Sequence, residues 1–221
     1  MKRKAVVAGA TGLIGKELVQ LLLDDQAYSA VTLLVRRTTG MVHPKLVEQV
    51  IDFDQLQQTD VEMNGADVYC TLGTTIKKAG SQDAFRKVDY EYPLSLGLLA
   101  SRQGAKQLLL VSAIGAKASS RTFYTRVKGE VEEALRSLGL PALHIFRPSL
   151  LLGKREEFRF GERLAAALSG VLSPLYSGPL RKYAPVEAGT VAKAMILAAK
   201  SGQAGIHMHE NEQIVKVKQT S

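Results

Sequence analysis

The sequence predicts an α/β protein: a doubly wound parallel sheet with a small C-terminal lobe. Three observations lead there. Short apolar runs alternate with stretches whose apolar residues recur at helical spacing, the first run ends directly on a glycine-rich turn, and the alternation lapses only after Pro148. A chain of 221 residues, 46% hydrophobic and 23% charged, can bury a large core and is too apolar to stay disordered. One domain over residues 1–221 is expected, with the lobe drawn mainly from 149–185.

The elements follow in order. Ala5 to Ala8 is the first strand, and Leu13, Ile14, Leu18, Leu21 and Leu22 set the stripe of the first helix. Ala30 to Val35 is a continuous apolar run, as expected of a parallel strand buried on both faces. Val47 to Asp52 and Ala66 to Leu72 give the third and fourth strands. A helix is predicted from Ser81 to Gln103, with Ser81 as N-cap and Gly104 just past its end. Lys106 to Ser112 is the fifth strand, Phe123 to Leu138 a helix closed by Gly139-Leu140-Pro141, and Ala142 to Phe146 the sixth strand. Beyond Pro148, apolar Leu150 to Gly153, helical Phe158 to Leu172 and the Pro- and Gly-rich Ser173 to Pro185 read as a substrate-side lobe. Thr190 to Lys200 is a last amphipathic helix, Gly205 to His209 a closing strand, and Glu212 to Ser221 a mobile end.

Composition removes several function classes. The net charge of +8 attracts polyanions, but the basic residues are scattered, six Phe and seven Tyr are not interleaved with them, and no nucleic-acid module is present. Solvated surface charge is the expected reading, with no nucleic acid as partner. The apolar run after Met1 is too short for a signal peptide, and no other stretch reaches the length of a bilayer span, so no membrane is expected. Cys70 is the single cysteine, which excludes an intrachain disulfide and suggests a reducing, cytoplasmic location. No His, Cys, Asp and Glu set has metal-ligand spacing, so no metal is expected. His144 reads as a core histidine, and His207 and His209 are expected to split between the faces of the last strand.

The glycine turn carries the first functional argument. Gly9-Ala10-Thr11-Gly12-Leu13-Ile14-Gly15 joins an apolar strand to an amphipathic helix, the arrangement in which backbone N–H groups and a helix N-terminus meet a pyrophosphate. Gly9 allows the tight turn, Gly12 close approach of the phosphates, and Gly15 packing of helix on strand, which is the Rossmann pattern. The second strand ends in Val35-Arg36-Arg37, where an acidic residue would pair with a ribose 2′-hydroxyl. A guanidinium instead binds a 2′-phosphate, so NADP(H) is favoured over NAD(H). Asp52 and Phe53 either flank the adenine or, for Asp52, cap the next turn. Leu72, Gly73 and Thr74, with Thr71 and Thr75, follow the fourth strand at the carboxyl edge, where small residues let the backbone touch a cofactor. Tyr69 and Cys70 read as core.

The second argument is catalytic. Tyr124 and Lys128 stand at i and i+4 on one helix face, twelve residues or more beyond the strand-end Ser112. An ammonium beside a phenol stabilises phenolate and lets the tyrosine exchange a proton nearer neutral pH. Ser112 would hydrogen-bond the same substrate oxygen.

With these residues the sequence resembles the extended, atypical short-chain dehydrogenase/reductases over most of its length. More narrowly, the glycine turn, Leu72-Gly73-Thr74-Thr75, Tyr124-Thr125-Arg126-Val127-Lys128-Gly129-Glu130-Val131-Glu132 and Phe146-Arg147-Pro148 resemble the Tat-interacting tumour-suppressor branch, whose members bind NADP(H) and are often described as regulators. The resemblance implies that Tyr124 is the proton donor or acceptor, that Lys128 stabilises its phenolate and binds the cofactor ribose, and that Ser112 orients the carbonyl. It implies that Arg36 and Arg37 meet the 2′-phosphate and that Pro148 lies on the loop passing the nicotinamide. The chain is shorter than a sugar-nucleotide epimerase of the extended class, which argues against that activity. Phe158, Phe160, Leu164, Leu168, Tyr176 and Tyr183 either wall a substrate pocket or form lobe core.

Two functions follow. One is an NADP(H)-dependent oxidoreductase that moves hydride between nicotinamide and a small carbonyl or alcohol. The other is an NADP(H)-binding redox sensor acting on a protein partner with little turnover. The apolar helix from Tyr90 to Leu99 is either an intersubunit surface or buried within the domain, leaving monomer and homodimer both open.

Overall fold

A computed structural model describes residues 2–152 and 183–217. Seven parallel strands form one sheet in the order β3-β2-β1-β4-β5-β6-β9: β1 Arg3–Ala8, β2 Tyr28–Val35, β3 Leu46–Val50, β4 Asp67–Cys70, β5 Gln107–Val111, β6 Ala142–Arg147 and β9 Gly205–Glu210. β7 Leu151–Leu152 and β8 Val186–Glu187 pair separately. The chain winds outward from β1 through β2 to β3, then returns to lay β4 on the other side of β1. That reversal opens a crevice at the carboxyl ends of β1 and β4, the place where an open α/β sheet takes its ligand.

Both faces of the sheet are covered, because successive residues of a strand point to opposite sides. Ala5 and Val7 pack with Leu18 and Leu22 of α1 (Leu13–Asp24) and Val191 and Met195 of α6 (Ala188–Ser201). Val6 and Ala8 pack with Leu96 and Leu99 of α4 (Tyr92–Arg102) and Val131 and Leu135 of α5 (Phe123–Arg136). Leu96 and Leu99 thus belong to the domain core, while Leu98 on the same helix is exposed. At the amino edge, the buried Asp67 carboxylate accepts from Arg3 Nε at 2.6 Å, Tyr28 Oη at 2.9 Å and Gln107 Nε2 at 2.6 Å, tying β1, β2, β4 and β5 together.

Several boundaries differ from the sequence expectation. The third and fourth strands are shorter than Val47 to Asp52 and Ala66 to Leu72, because Asp52 turns out to cap the 3-10 turn Phe53–Gln58 and Thr71 starts a loop. The helix expected over 81–103 is broken. Ser81 does cap it, its Oγ accepting from the Ala84 N–H at 3.1 Å, but α3 covers only Gln82–Arg86 and a π turn at Lys87–Glu91 intervenes before α4. The wider turn lets Asp89 face inward, and its carboxylate bonds there. The end expected to be mobile from Glu212 instead starts with a helix, α7 (Asn211–Lys216): Glu210 and Gln213 form a reciprocal capping box, and Ile214 is buried. Residues 153–182, including Phe158, Phe160, Leu164, Leu168 and Tyr176 of the expected lobe, lie outside the described residues, as do 218–221. Tyr183 is about half exposed, at 49%.

The histidines overturn a second expectation. His207 and His209 do not split between faces, since residues two apart on a strand share one. His144 on β6 stacks on both, with ring centroids 4.9 and 5.3 Å away, and its Nδ1 lies 3.0 Å from His209 Nε2. The rings stack rather than converge, and among the described residues no three potential ligands gather for a metal. His144 is fully buried, with Nε2 lacking a protein partner. Burial first, then His209 and His207, pushes its pKa down to about 4, and burial and His207 lower that of His209. An unfolded histidine takes its proton near 6.5, so this cluster stabilises the fold fully above that pH and ceases to do so as pH falls toward 4. Lowering the pH from 7.5 to 5 is thereby expected to lower Tm by about 3–6 °C, after discounting for solvent at the sheet edge. A pH series of thermal melts with His209→Phe should show a flatter dependence; an equal slope would remove the histidines as its cause.

Candidate cofactor and catalytic site

A parallel sheet brings every loop that follows a strand to the same edge, so most of the expected site residues meet there. The glycine turn leaves β1, Arg36 and Arg37 leave β2, Asp52 leaves β3, Thr71 to Thr75 leave β4, Ser112 leaves β5 and Pro148 leaves β6.

The turn is built for close approach. Gly9 has φ +93°, and a Cβ on it would fall 2.6 Å from the Thr71 carbonyl carbon. A Cβ on Gly15 would sit 2.1 Å from the Gly9 oxygen, so both positions require glycine. Gly12 caps α1 without a side-chain hydrogen bond, and the first turn of this helix carries no acidic residue. Its N–H groups are left free of a carboxylate that would compete with a phosphate. Thr11, Gly12 and Leu13 are exposed at the turn, whereas Ala10, Ile14 and Gly15 are buried against the sheet. These residues fit a dinucleotide pyrophosphate.

Arg36 and Arg37 are exposed immediately past β2. Glu48 on the neighbouring β3 is taken up by Thr38 Oγ1 at 2.5 Å and by Thr39. Asp52 accepts from the Asp54 N–H at 2.9 Å and so acts as the cap anticipated for it; Phe53 is 6% exposed, packed at a tilt of 39° against the Tyr92 ring with centroids 5.4 Å apart. Little of the Phe53 ring is left for an adenine. Tyr69 and Cys70 are core, as expected: the Tyr69 hydroxyl meets that of Tyr28 at 2.7 Å, and burial pushes the Cys70 thiol up to about 12.

Around the catalytic helix the structure adds partners. Lys128 is buried, and its Nζ pairs with Asp89 Oδ1 at 2.8 Å. Burial alone would favour the neutral amine, but Asp89 and Tyr124 more than offset it and hold Lys128 above the ordinary lysine value. Asp89 Oδ2 also accepts from the Thr74 N–H at 2.9 Å, and a Cβ on Gly73 would lie 3.7 Å from Lys128 Nζ. Asp89 therefore joins the Leu72-Gly73-Thr74 loop to the lysine. Tyr124 is half-buried, its ring 5.5 Å from that of Phe85.

Ser112 departs from expectation. Its Oγ donates to Glu132 Oε1 at 2.5 Å and to neither Tyr124 nor Lys128. Glu132 is in turn gripped by Arg147, Nη2 to Oε2 at 2.5 Å and Nε to Oε1 at 3.1 Å, and Arg147 reaches Glu210 at 3.0 Å. The Pro148 carbonyl accepts from the Ile114 N–H at 2.9 Å, tying the loops after β5 and β6. Sequence reasoning missed Asp89, Glu132 and Arg147. Glu132 continues the four-residue spacing of Tyr124 and Lys128, a signal that was present; Asp89 had none, since its role depends on the π turn.

A family model described as NAD(P)H-binding matches residues 9–165, from the glycine turn past β6. Protein HTATIP2 of Rattus norvegicus is 37% identical over 223 residues, covering 97% of this chain and 89% of the rat protein. This chain belongs to the NAD(P)H-binding family, in the branch that contains HTATIP2. The family extends to fungi: protein FMP52, mitochondrial, of Candida albicans is 33% identical over 202 residues, 89% of this chain and 87% of that protein. Solved structures share the fold at lower identity. MoeE5 in complex with UDP-glucose and NAD superposes with TM-score 0.69 at 15% identity, over 98% of this chain and 82% of MoeE5. A UDP-N-acetylglucosamine 4-epimerase from Methanobrevibacter ruminantium gives 0.67 at 19%, over 95% of this chain and 77% of the epimerase.

The branch relatives correct the expected location. FMP52 proteins of Candida albicans and Scheffersomyces stipitis are named mitochondrial, which overturns the cytoplasmic assignment. A single buried thiol reports only that no disulfide is needed, and does not distinguish one reducing compartment from another. Among the described residues no helix is long and apolar enough to cross a membrane.

Proposed function

We propose that this reductase-family chain is an NADP(H)-dependent oxidoreductase acting on a small carbonyl or alcohol. The observation that carries the reading is Lys128: a buried ammonium on the Tyr124 face of α5, tied through Asp89 to the Gly73-Thr74 loop at the crevice. The nicotinamide supplies or takes the hydride when it is bound. Tyr124 exchanges a proton with the substrate oxygen, Lys128 stabilises the phenolate and binds the ribose, and the turn Gly9 to Gly15 holds the pyrophosphate. Arg36 and Arg37 bind the 2′-phosphate, and Pro148 borders the nicotinamide.

Calorimetric titration with NADPH and NADH tests the cofactor choice. Arg36→Ala with Arg37→Ala is expected to weaken NADPH about 10–100-fold, the loss of charge-assisted hydrogen bonds, and to leave NADH unchanged. Equal weakening of both cofactors would remove the arginines from 2′-phosphate recognition. One observation favours the sensor reading: Ser112 gives its proton to Glu132 rather than standing free beside Tyr124. Tight NADPH binding without turnover of any carbonyl, unchanged by Tyr124→Phe, would select that reading.

A further inference from the structure

We infer that Asn211, on the C-terminal helix, is a positioning residue that holds the Pro148 loop at the nicotinamide end of the cofactor crevice. The inference rests on the oxidoreductase reading, in which Pro148 borders the nicotinamide. The β6–β9 ladder ends with Arg147 opposite Glu210. It goes no further, because Pro148 has no N–H and Asn211 opens α7. From there a side chain takes the place of the ladder. Asn211, 1% exposed, accepts the Ser149 N–H on Oδ1 at 2.9 Å and donates through Nδ2 to the Ala184 carbonyl at 2.8 Å. These partners fix the orientation of the amide, since a backbone N–H only donates and a carbonyl only accepts.

Pro148 is buried and bracketed. Arg147 before it pairs with Glu210 at 3.0 Å, Ser149 after it is held by Asn211, and its own carbonyl accepts from the Ile114 N–H of the loop that follows Ser112. Two consecutive residues of the C-terminal segment thus grip both neighbours of the proline. The β7–β8 pairing beyond joins only two residues of each strand, too little to fix the loop by itself. Arg36 and Arg37 leave β2, across β1, β4 and β5 from β6, so Asn211 acts on one half of the cofactor only. A loop displaced by about 1 Å is enough to spoil hydride transfer.

The test reads the two halves separately, with NADPH and with adenosine 2′,5′-bisphosphate, which lacks the nicotinamide. In the native chain NADPH should slow hydrogen exchange at the Ser149 amide about tenfold or more, and the bisphosphate should leave it unchanged. Asn211→Leu fills a similar volume without either bond. It should lose the enhanced, blue-shifted fluorescence of shielded NADPH and weaken NADPH about 3–10-fold, with bisphosphate affinity unchanged. Asn211→Asp keeps an acceptor for Ser149 in either protonation state, so it should restore both. Equal or absent slowing by the two ligands, a native signal in Asn211→Leu, weakening of both ligands alike, or an Asn211→Asp variant as impaired as Asn211→Leu overturns the inference. The exchange measurement uses the native chain and decides the matter where Asn211→Leu does not fold. Failure of the oxidoreductase reading would appear separately, as tight NADPH binding with no hydride transfer to any carbonyl.

Discussion

Gly15→Ala is expected to abolish measurable cofactor binding and to destabilise the fold by about 2–4 kcal/mol, although alanine is the better helix former. Gly15 lies in the first turn of α1, where a methyl group on a free surface would favour the helix by about 1 kcal/mol. Here its Cβ would fall 2.1 Å from the Gly9 oxygen, 2.8 Å from the Gly9 carbon and 2.9 Å from the Ala10 Cα. All three are backbone atoms, so no side chain can swing aside. Either α1 moves off β1, opening the packing of Ile14 and Leu18, or the turn moves and carries its N–H groups away from the phosphates. Thermal melts read the first outcome and NADPH titration the second. A Gly15→Ala variant with native Tm and native affinity would show that the turn has room that the backbone distances deny.

Asp89→Ala is expected to cost about 3–5 kcal/mol, the largest loss from one side chain at the site, because it leaves the buried Lys128 ammonium without its counter-charge. It also removes the acceptor of the Thr74 N–H. The sign of the pH dependence should change as well. In the native chain Lys128 is held above its ordinary value, so its ion pair is fully stabilising below about 10.4 and is lost only as pH rises further. Without Asp89, burial dominates and favours the neutral amine, so the variant should gain stability on going from pH 7 to 9.5. Melts across that range check it. Combining Asp89→Ala with Lys128→Met should cost much less than the sum of the two single changes, since each single change strands the other's charge. Strict additivity would mean that the two groups do not act as a pair.

Most of the fold was legible because its signals are local. The apolar runs at Ala5 to Ala8, Ala30 to Val35 and Lys106 to Ser112 became β1, β2 and β5, and the glycine turn marked the crevice before any strand order was known. The helix over 81–103 was misread because its sequence is continuous in propensity. The π turn at Lys87–Glu91 turns Asp89 inward, where its carboxylate accepts from the Thr74 N–H and pairs with the Lys128 ammonium, fifteen and thirty-nine residues away. The tail was misread for the opposite reason, a short polar segment fastened by one capping box and one buried isoleucine.

The sequence by itself determined the parallel α/β class, the glycine turn between strand and helix, the basic pair after the second strand and the shared face of Tyr124 and Lys128. Each depends on spacing within a few residues, which backbone geometry converts directly into a face, a turn or an edge. Only the tertiary structure decided that Asp89 holds Lys128, that Glu132 takes the Ser112 proton and that His144, His207 and His209 stack between β6 and β9. Those outcomes depend on which strands become neighbours and on how far buried charges must reach for a partner. Low dielectric makes an unpaired buried group costly, so the packed sheet, and not the local pattern, selects the pairs.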